Sequence, residues 1–188
     1  MKSDITKGAK FPDYELPDHE GKKRKLSRLQ GSDPVALMLA RGGYCPKEHL
    51  QHQWLAGIQN EIKVSYCRLI TISTDDPLET MEWRNRLGAN WTFLSDQGRI
   101  VQQDLDIKEY TDPKHNPMIP HTILLEPGLV VFKVYNGYWY WGRPTPEEIR
   151  QDFRAMSRTC RSDWNLADPE VIEKWEKGEK DFFFPYKK

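Results

Sequence analysis

Between Arg41 and Glu48 the chain reads Arg-Gly-Gly-Tyr-Cys-Pro-Lys-Glu, and Cys45 is the residue there best suited to nucleophilic chemistry. The proline and glutamate after it repeat a helix start used elsewhere in the chain. At Asp76-Pro77-Leu78-Glu79 and Thr145-Pro146-Glu147-Glu148, an oxygen-bearing residue takes the N-cap position, proline the first helical position and glutamate the third. Asp168-Pro169 has the same start without the glutamate. In Cys45-Pro46-Lys47-Glu48 a sulfur occupies the cap slot. A neutral thiol is a poor acceptor. A thiolate there would receive the free N–H groups of Lys47 and Glu48 and face the positive end of the helix dipole, so the position favours ionised sulfur.

The residues around Cys45 fit that chemistry. Arg41 brings a permanent positive charge, able to favour the thiolate or to bind a peroxidic oxygen. Gly42 and Gly43 allow a sharp exit from the preceding strand and leave room above the sulfur. Glu48 would oppose the thiolate unless it is spent on the helix start, and the capping-box role is the one we expect for it. Cys45, His49 and His52 follow one another with about one turn of helix between each and the next, but zinc needs three or four converging ligands and the sequence offers no further Cys/His pair at ligand spacing, so no metal site is expected. Cys67 and Cys160 read as structural thiols. Their positions alone leave open a disulfide from either to Cys45.

Alternating strands and helices would position this turn. "VALMLA" (35–40) is a continuous apolar run, as a strand buried on both faces requires, and leads into a helix with Leu50, Trp54, Leu55, Ile58 and Ile62 on one stripe. A second strand-helix unit follows in "CRLITIS" and "PLETMEWRNRL", closed by Gly88. Two such units in series predict parallel strands joined by a right-handed crossover. "NWTFLSDQGRIVQQDLDI" predicts a short strand, a turn and a short helix. "HTILLEPGLVVFKVYNG" predicts a hairpin about Glu126-Pro127-Gly128, and a further helix starts at Pro146 with Ile149, Phe153 and Met156 on one face. Ahead of all this, "FPDYELPDHEGKKRKL" reads as an irregular strand and hairpin. The class is α/β, with a central mixed β-sheet flanked by helices.

A chain of 188 residues fits one such domain, expected over 1–160, with a C-terminal helical and aromatic extension over 161–188 that packs on the domain or on a partner subunit. Equal numbers of acidic and basic residues, 28 of each, remove any bulk electrostatic argument for nucleic acid or an anionic membrane. The opening lacks the apolar core of a signal peptide, and no stretch is long and apolar enough to span a bilayer. Three scattered cysteines do not make a disulfide framework. The expectation is a cytoplasmic protein in a reducing compartment. Trp139 and Trp141, at alternating spacing in "NGYWYWGRP", read as packing or interface residues.

"ARGGYCPKEH" resembles the RGxWCPxC signature of the AhpC/TSA redoxins of the thioredoxin-like superfamily. "GAKFPDYELPDHEGKKRKLSRLQG", "LITISTDDPLET", "WTFLSDQGRIVQQDLDI" and "MIPHTILLEPG" are similar to further segments of that family, so the likeness covers roughly residues 8 to 160. The resemblance implies a thioredoxin-like fold with Cys45 as the attacking cysteine, Arg41 assisting it, and Gly43, Tyr44 and Pro120 against the substrate. Pro120 would be the cis-proline that offers a backbone edge beside the sulfur. It further implies a peroxiredoxin-like thiol oxidoreductase that takes a hydroperoxide or a disulfide, is regenerated by a low-molecular-weight thiol or a thioredoxin, needs no cofactor and forms a homodimer; the alternative from another class is a redoxin fold kept as a non-catalytic interaction module.

Three departures stand beside the likeness. Glu48 replaces the second cysteine of a C-x-x-C pair, so the internal-disulfide cycle of a thioredoxin is closed to this turn. The proline and hydroxyl of the P-x-x-x-T/S-x-x-C pattern are here Met38 and Gly42. The arginine that peroxidases of this family carry at the start of the late strand is replaced by Pro120.

Overall fold

The computed structural model describes residues 1–184 and 186; positions 185, 187 and 188, at the end of the anticipated extension, lie outside the described residues. The N-terminal hairpin is β1 (Glu15–Pro17) and β2 (Lys23–Lys25), followed by a short helix α1 (Leu26–Gln30) that sequence reading had not singled out. Then come β3 (Val35–Ala40), α2 (Pro46–Val64), β4 (Arg68–Ser73), α3 (Pro77–Leu87), β5 (Thr92–Ser95) and α4 (Ile100–Asp104). The chain continues through β6 (His121–Glu126), β7 (Val130–Asn136), α5 (Pro146–Cys160) and α6 (Pro169–Glu176).

Five strands form one mixed sheet in the order β5-β4-β3-β6-β7. β3 is parallel to β4, β4 is parallel to β5, and β6 and β7 return as an antiparallel hairpin beside β3. Both faces of β3 are covered, as its unbroken apolar run requires. Val35, Leu37 and Leu39 join the cluster on one face, with Phe11, Leu16, Leu26, Val101 and Leu105. Ala36, Met38 and Ala40 join the other, under Leu55 of α2, Trp83 of α3 and Ile149, Phe153 and Met156 of α5.

Two of the helix starts expected from sequence are full capping boxes, at Asp76 with Glu79 and at Thr145 with Glu148. Gly88 closes α3 in the left-handed conformation at φ 62°. The stripe expected on α2 is only partly right. Leu55 and Ile62 are buried, but Leu50 is 49% exposed, and the helix turns Glu48, Gln51 and His52 inward instead. The first two turns of α2 therefore pack on a polar cluster, which hydrophobic periodicity cannot reveal.

In the C-terminal extension, Phe184 packs edge-on against Tyr66 and lies 3.6 Å under the Arg161 guanidinium. No helix among the described residues is long and apolar enough to cross a membrane.

Candidate active site

Cys45 is the N-cap residue of α2, where β3 hands over to the helix, and it is 3% exposed. It belongs to neither apolar cluster. The side chain makes no capping hydrogen bond, contrary to the expectation that the Lys47 and Glu48 amides would hold the sulfur. Its polar partner is Arg41, whose Nη1 donates to Sγ at 3.6 Å. The four-residue turn folds the guanidinium back over the thiol, with Cys45 N–H on the Gly42 carbonyl at 3.2 Å.

Arg41 is braced on its other side by a loop that sequence reading passed over. Nε pairs with Glu109 at 2.8 Å, and Nη2 pairs with Asp112 at 3.0 Å. Burial works against the Arg41 charge, but the nearby Tyr44, Cys45 and Glu109 outweigh it and raise the pKa. Asp112 also accepts from Tyr44 Oη at 3.1 Å and from His115 Nδ1 at 2.9 Å, and the Tyr44 and His115 rings stack with centroids 3.8 Å apart. Tyr44, Gly43 and His115 border a groove of about 490 Å³ beside the turn. No feature short of the fold would have linked Glu109 or Asp112 to Arg41.

Glu48 does not complete a capping box. Its carboxylate forms a bidentate pair with Arg143, at 2.8 Å and 2.9 Å, with Glu48 1% and Arg143 6% exposed. Gln51 accepts from the same guanidinium and donates to Thr122 Oγ1 at 3.0 Å. The reason is burial: an inward-facing carboxylate needs a cation more than it needs the cap N–H. Paired in this way, Glu48 no longer opposes a thiolate at Cys45 as an isolated charge would. A buried glutamate at the third helical position is a signal for some cation, but nothing in the sequence chooses Arg143.

His52 is spent on structure. Its Nδ1 donates to the Glu48 carbonyl at 2.8 Å, so Nε2 is the acceptor for Thr71 Oγ1 at 3.1 Å, and Thr71 accepts in turn from Trp91 Nε1 at 3.0 Å. Burial lowers its pKa to about 4 and keeps the ring neutral.

Pro120 is buried just ahead of β6, but the backbone edge expected there is already paired. Ile119 N–H donates to Ile107, Gly137 N–H donates to the Pro120 carbonyl at 2.8 Å, and His121 Nδ1 donates to the Ile119 carbonyl at 2.8 Å. A substrate strand could add at this edge only by displacing those bonds. Gly43 and Tyr44, by contrast, do line the groove at the turn.

The other two cysteines lie at the far end of the sheet. Cys67 immediately precedes β4, whose first residue Arg68 is in register with Val35 at the start of β3, whereas Cys45 follows the end of β3. Six strand residues at about 3.3 Å each separate the two levels by roughly 20 Å, beyond any disulfide. Arg161, next to Cys160, bonds the Ser32 and Tyr66 carbonyls at that same far end. Burial pushes the Cys67 thiol up to about 11.

A mixed sheet of this order, with helices on both faces and a cysteine at the strand-to-helix turn, defines a thioredoxin-like α/β protein. The chain belongs to the AhpC/TSA family, which it matches over residues 7–133. The fold is similar to that of peroxidoxin BcpB from Mycobacterium tuberculosis, with TM-score 0.69 and 20% identity over 81% of this chain and 96% of that one. It is similar to a yeast mitochondrial 1-Cys peroxiredoxin, with TM-score 0.73 and 14% identity over 87% and 84%. A putative thiol:disulfide interchange protein DsbE from Chlorobium tepidum gives TM-score 0.63 and 20% identity over 80% and 97%. Among curated proteins, no sequence match is found.

Proposed function

We propose that this protein is a thiol peroxidase that reduces hydroperoxides through Cys45 alone and is regenerated by an external thiol. The observation that carries the reading is the Arg41 guanidinium, 3.6 Å from Sγ and held on its other side by ion pairs to Glu109 and Asp112. In the reaction, the Cys45 thiolate attacks one peroxide oxygen. The S–O bond forms as the O–O bond breaks, and the departing oxygen takes a proton to leave as water or an alcohol. Arg41 supplies fixed positive charge where negative charge moves from sulfur to oxygen. It thus does from the turn what the arginine absent at position 120 would do from the late strand.

The sulfenic acid on Cys45 then condenses with one external thiol, releasing water. A second thiol attacks the mixed disulfide and frees Cys45, so two thiols are oxidised to one disulfide for each peroxide reduced. The separation of Cys67 and Cys160 from the turn supports an external reductant. The yeast relative's structure concerns thiol resolution through glutathione and thioredoxin systems, and the same two classes of thiol are candidates here. Exchange with protein disulfides is the less favoured alternative, because the Ile119-Pro120 edge that a polypeptide substrate would use is paired internally.

Stopped-flow mixing of the reduced protein with hydrogen peroxide and with a bulkier alkyl hydroperoxide tests the reading. A second-order constant at least ~100-fold above that of free cysteine is expected, and it is lost in Cys45→Ser. A wild-type constant equal to that of free cysteine overturns it.

A further inference from the structure

The turn that carries Cys45 is gripped from the end of β4. Thr74 Oγ1 donates to the Arg41 carbonyl at 2.8 Å, and Gly43 N–H donates to Asp75 Oδ2 at 2.7 Å. Ser73 Oγ donates to the same carboxylate oxygen at 3.3 Å, and the Asp75 carbonyl is tied to β5 by Ser95 Oγ at 2.6 Å. The fit is close on both sides of the turn. Gly42 has φ +133°, and the place a Cβ would take there is filled by the Asp75 carboxylate. A Cβ on Gly43 would stand 2.8 Å from Cγ of Trp83. The path from Arg41 to Cys45 is thereby clamped between a carboxylate and an indole.

Asp75 has no ion pair among the described residues. On its own segment it faces Asp76, and α3 contributes Glu79. Glu82 and Arg86 of α3 border the same groove, as do Tyr44, His115 and Arg99. Arg99 is no counter-ion here, because its guanidinium is engaged by the carbonyls of Thr74, Gln97, His115 and Asn116.

We propose that Asp75 is a positioning residue for Cys45: its carboxylate, bonded to Gly43 N–H, holds the turn so that the Arg41 guanidinium and the sulfur meet. The inference rests on the reading of Cys45 as the reacting sulfur. Burial raises the Asp75 pKa to about 6 against the hydrogen bond from Gly43. Ionised, the carboxylate accepts a short charge-assisted bond; protonated, it offers only a neutral one, and the turn loosens. The Cys45 reaction should therefore slow as pH falls through that range.

The test is the peroxide rate constant of the full chain from pH 4.5 to 8.5 in wild type, Asp75→Asn and Ser73→Ala, with iodoacetamide alkylation of Cys45 followed in parallel. Wild type should show a step near pH 6, the value burial sets for Asp75. Asp75→Asn should lose that step and reach a plateau about 10-fold lower, while unfolding no more easily at pH 7.5, since it removes a buried charge. Ser73→Ala, which takes one donor from the carboxylate and leaves the turn intact, should move the step to higher pH at an unchanged plateau; it decides the matter if Asp75→Asn does not fold. An Asp75→Asn profile that keeps the step near pH 6, or a Ser73→Ala step that stays where it was, overturns the proposal. If wild type reacts with peroxide no faster than free cysteine, the peroxidase reading fails separately, and the alkylation profiles still decide on Asp75.

Discussion

Glu48 and Arg143, 95 residues apart in the chain, meet in a bidentate pair three residues past Cys45, at 2.8 Å and 2.9 Å and shielded from water. This pair ties the start of α2, and with it the reactive turn, to the segment that leads into α5. A buried pair of this kind is conditionally stabilising: removing one partner strands the other charge.

Glu48→Gln or Arg143→Met should each cost about 3–5 kcal/mol, read from urea unfolding at neutral pH. The double variant should cost clearly less than the sum, because it leaves no charge unpaired. Additive losses would show that the two side chains do not depend on each other.

Arg41 touches a sulfur and two carboxylates through three separate nitrogens, a spread that a planar guanidinium provides and a compact ammonium does not. Arg41→Met should lower the peroxide rate constant ~100-fold, and Arg41→Lys should restore only part of it. Full recovery in the lysine variant would mean that charge alone, without the fork geometry, is what Cys45 needs.

The far placement of Cys67 and Cys160 makes a plain forecast for oxidation. Mass analysis after limiting peroxide should find a single oxygen on Cys45 and no disulfide within the chain, and Cys67→Ser/Cys160→Ser should keep the wild-type rate within about two-fold. Cys67, with its thiol pushed up to about 11, should also be the slow cysteine toward iodoacetamide at pH 8. A bond between Cys45 and either partner would require the sheet to open.

His52 makes stability depend on acid. It is neutral in the fold with a pKa near 4 against about 6.5 when exposed, so its contribution is complete above pH 6.5 and is lost as pH falls toward 4. The loss is about 3 kcal/mol. Asp75 acts with the opposite sign, since its raised pKa of about 6 makes the fold hold a proton more tightly and adds stability as pH falls. The difference between wild type and His52→Gln, from denaturant unfolding at pH 7, 5.5 and 4.5, isolates the histidine. A difference that does not change with pH would mean His52 is not buried neutral.

Much of the architecture was readable in the one-dimensional order of residues. The apolar run at 35–40, the Glu126-Pro127-Gly128 hairpin, the boxes at Asp76 and Thr145 and the glycine stop at 88 are all local devices, written within one turn or one strand of themselves. Cys45 could be found for the same reason, as a sulfur in a slot where the chain elsewhere places oxygen. Its manner of stabilisation could be read only in part: the sequence offers Arg41 as a charge able to favour the thiolate, but backbone amides were expected to hold the sulfur as well. The cap geometry suggested backbone amides, whereas the fold supplies the guanidinium of Arg41 and leaves the sulfur without a cap hydrogen bond.

The sequence by itself determined where most strands and helices begin, α1 excepted, that they alternate into a mixed sheet, and that a thiol stands at one strand-to-helix turn. Each of these follows from side-chain period, backbone freedom or a cap a few residues long. Only the tertiary structure decided that Glu48 answers Arg143, that Glu109 and Asp112 brace Arg41, that Asp75 fills the space beside Gly42, and that the Ile119-Pro120 edge is closed. Those partners are brought together by strand order and helix packing, and buried charge is settled by whichever counter-charge the packing delivers, at any distance along the chain.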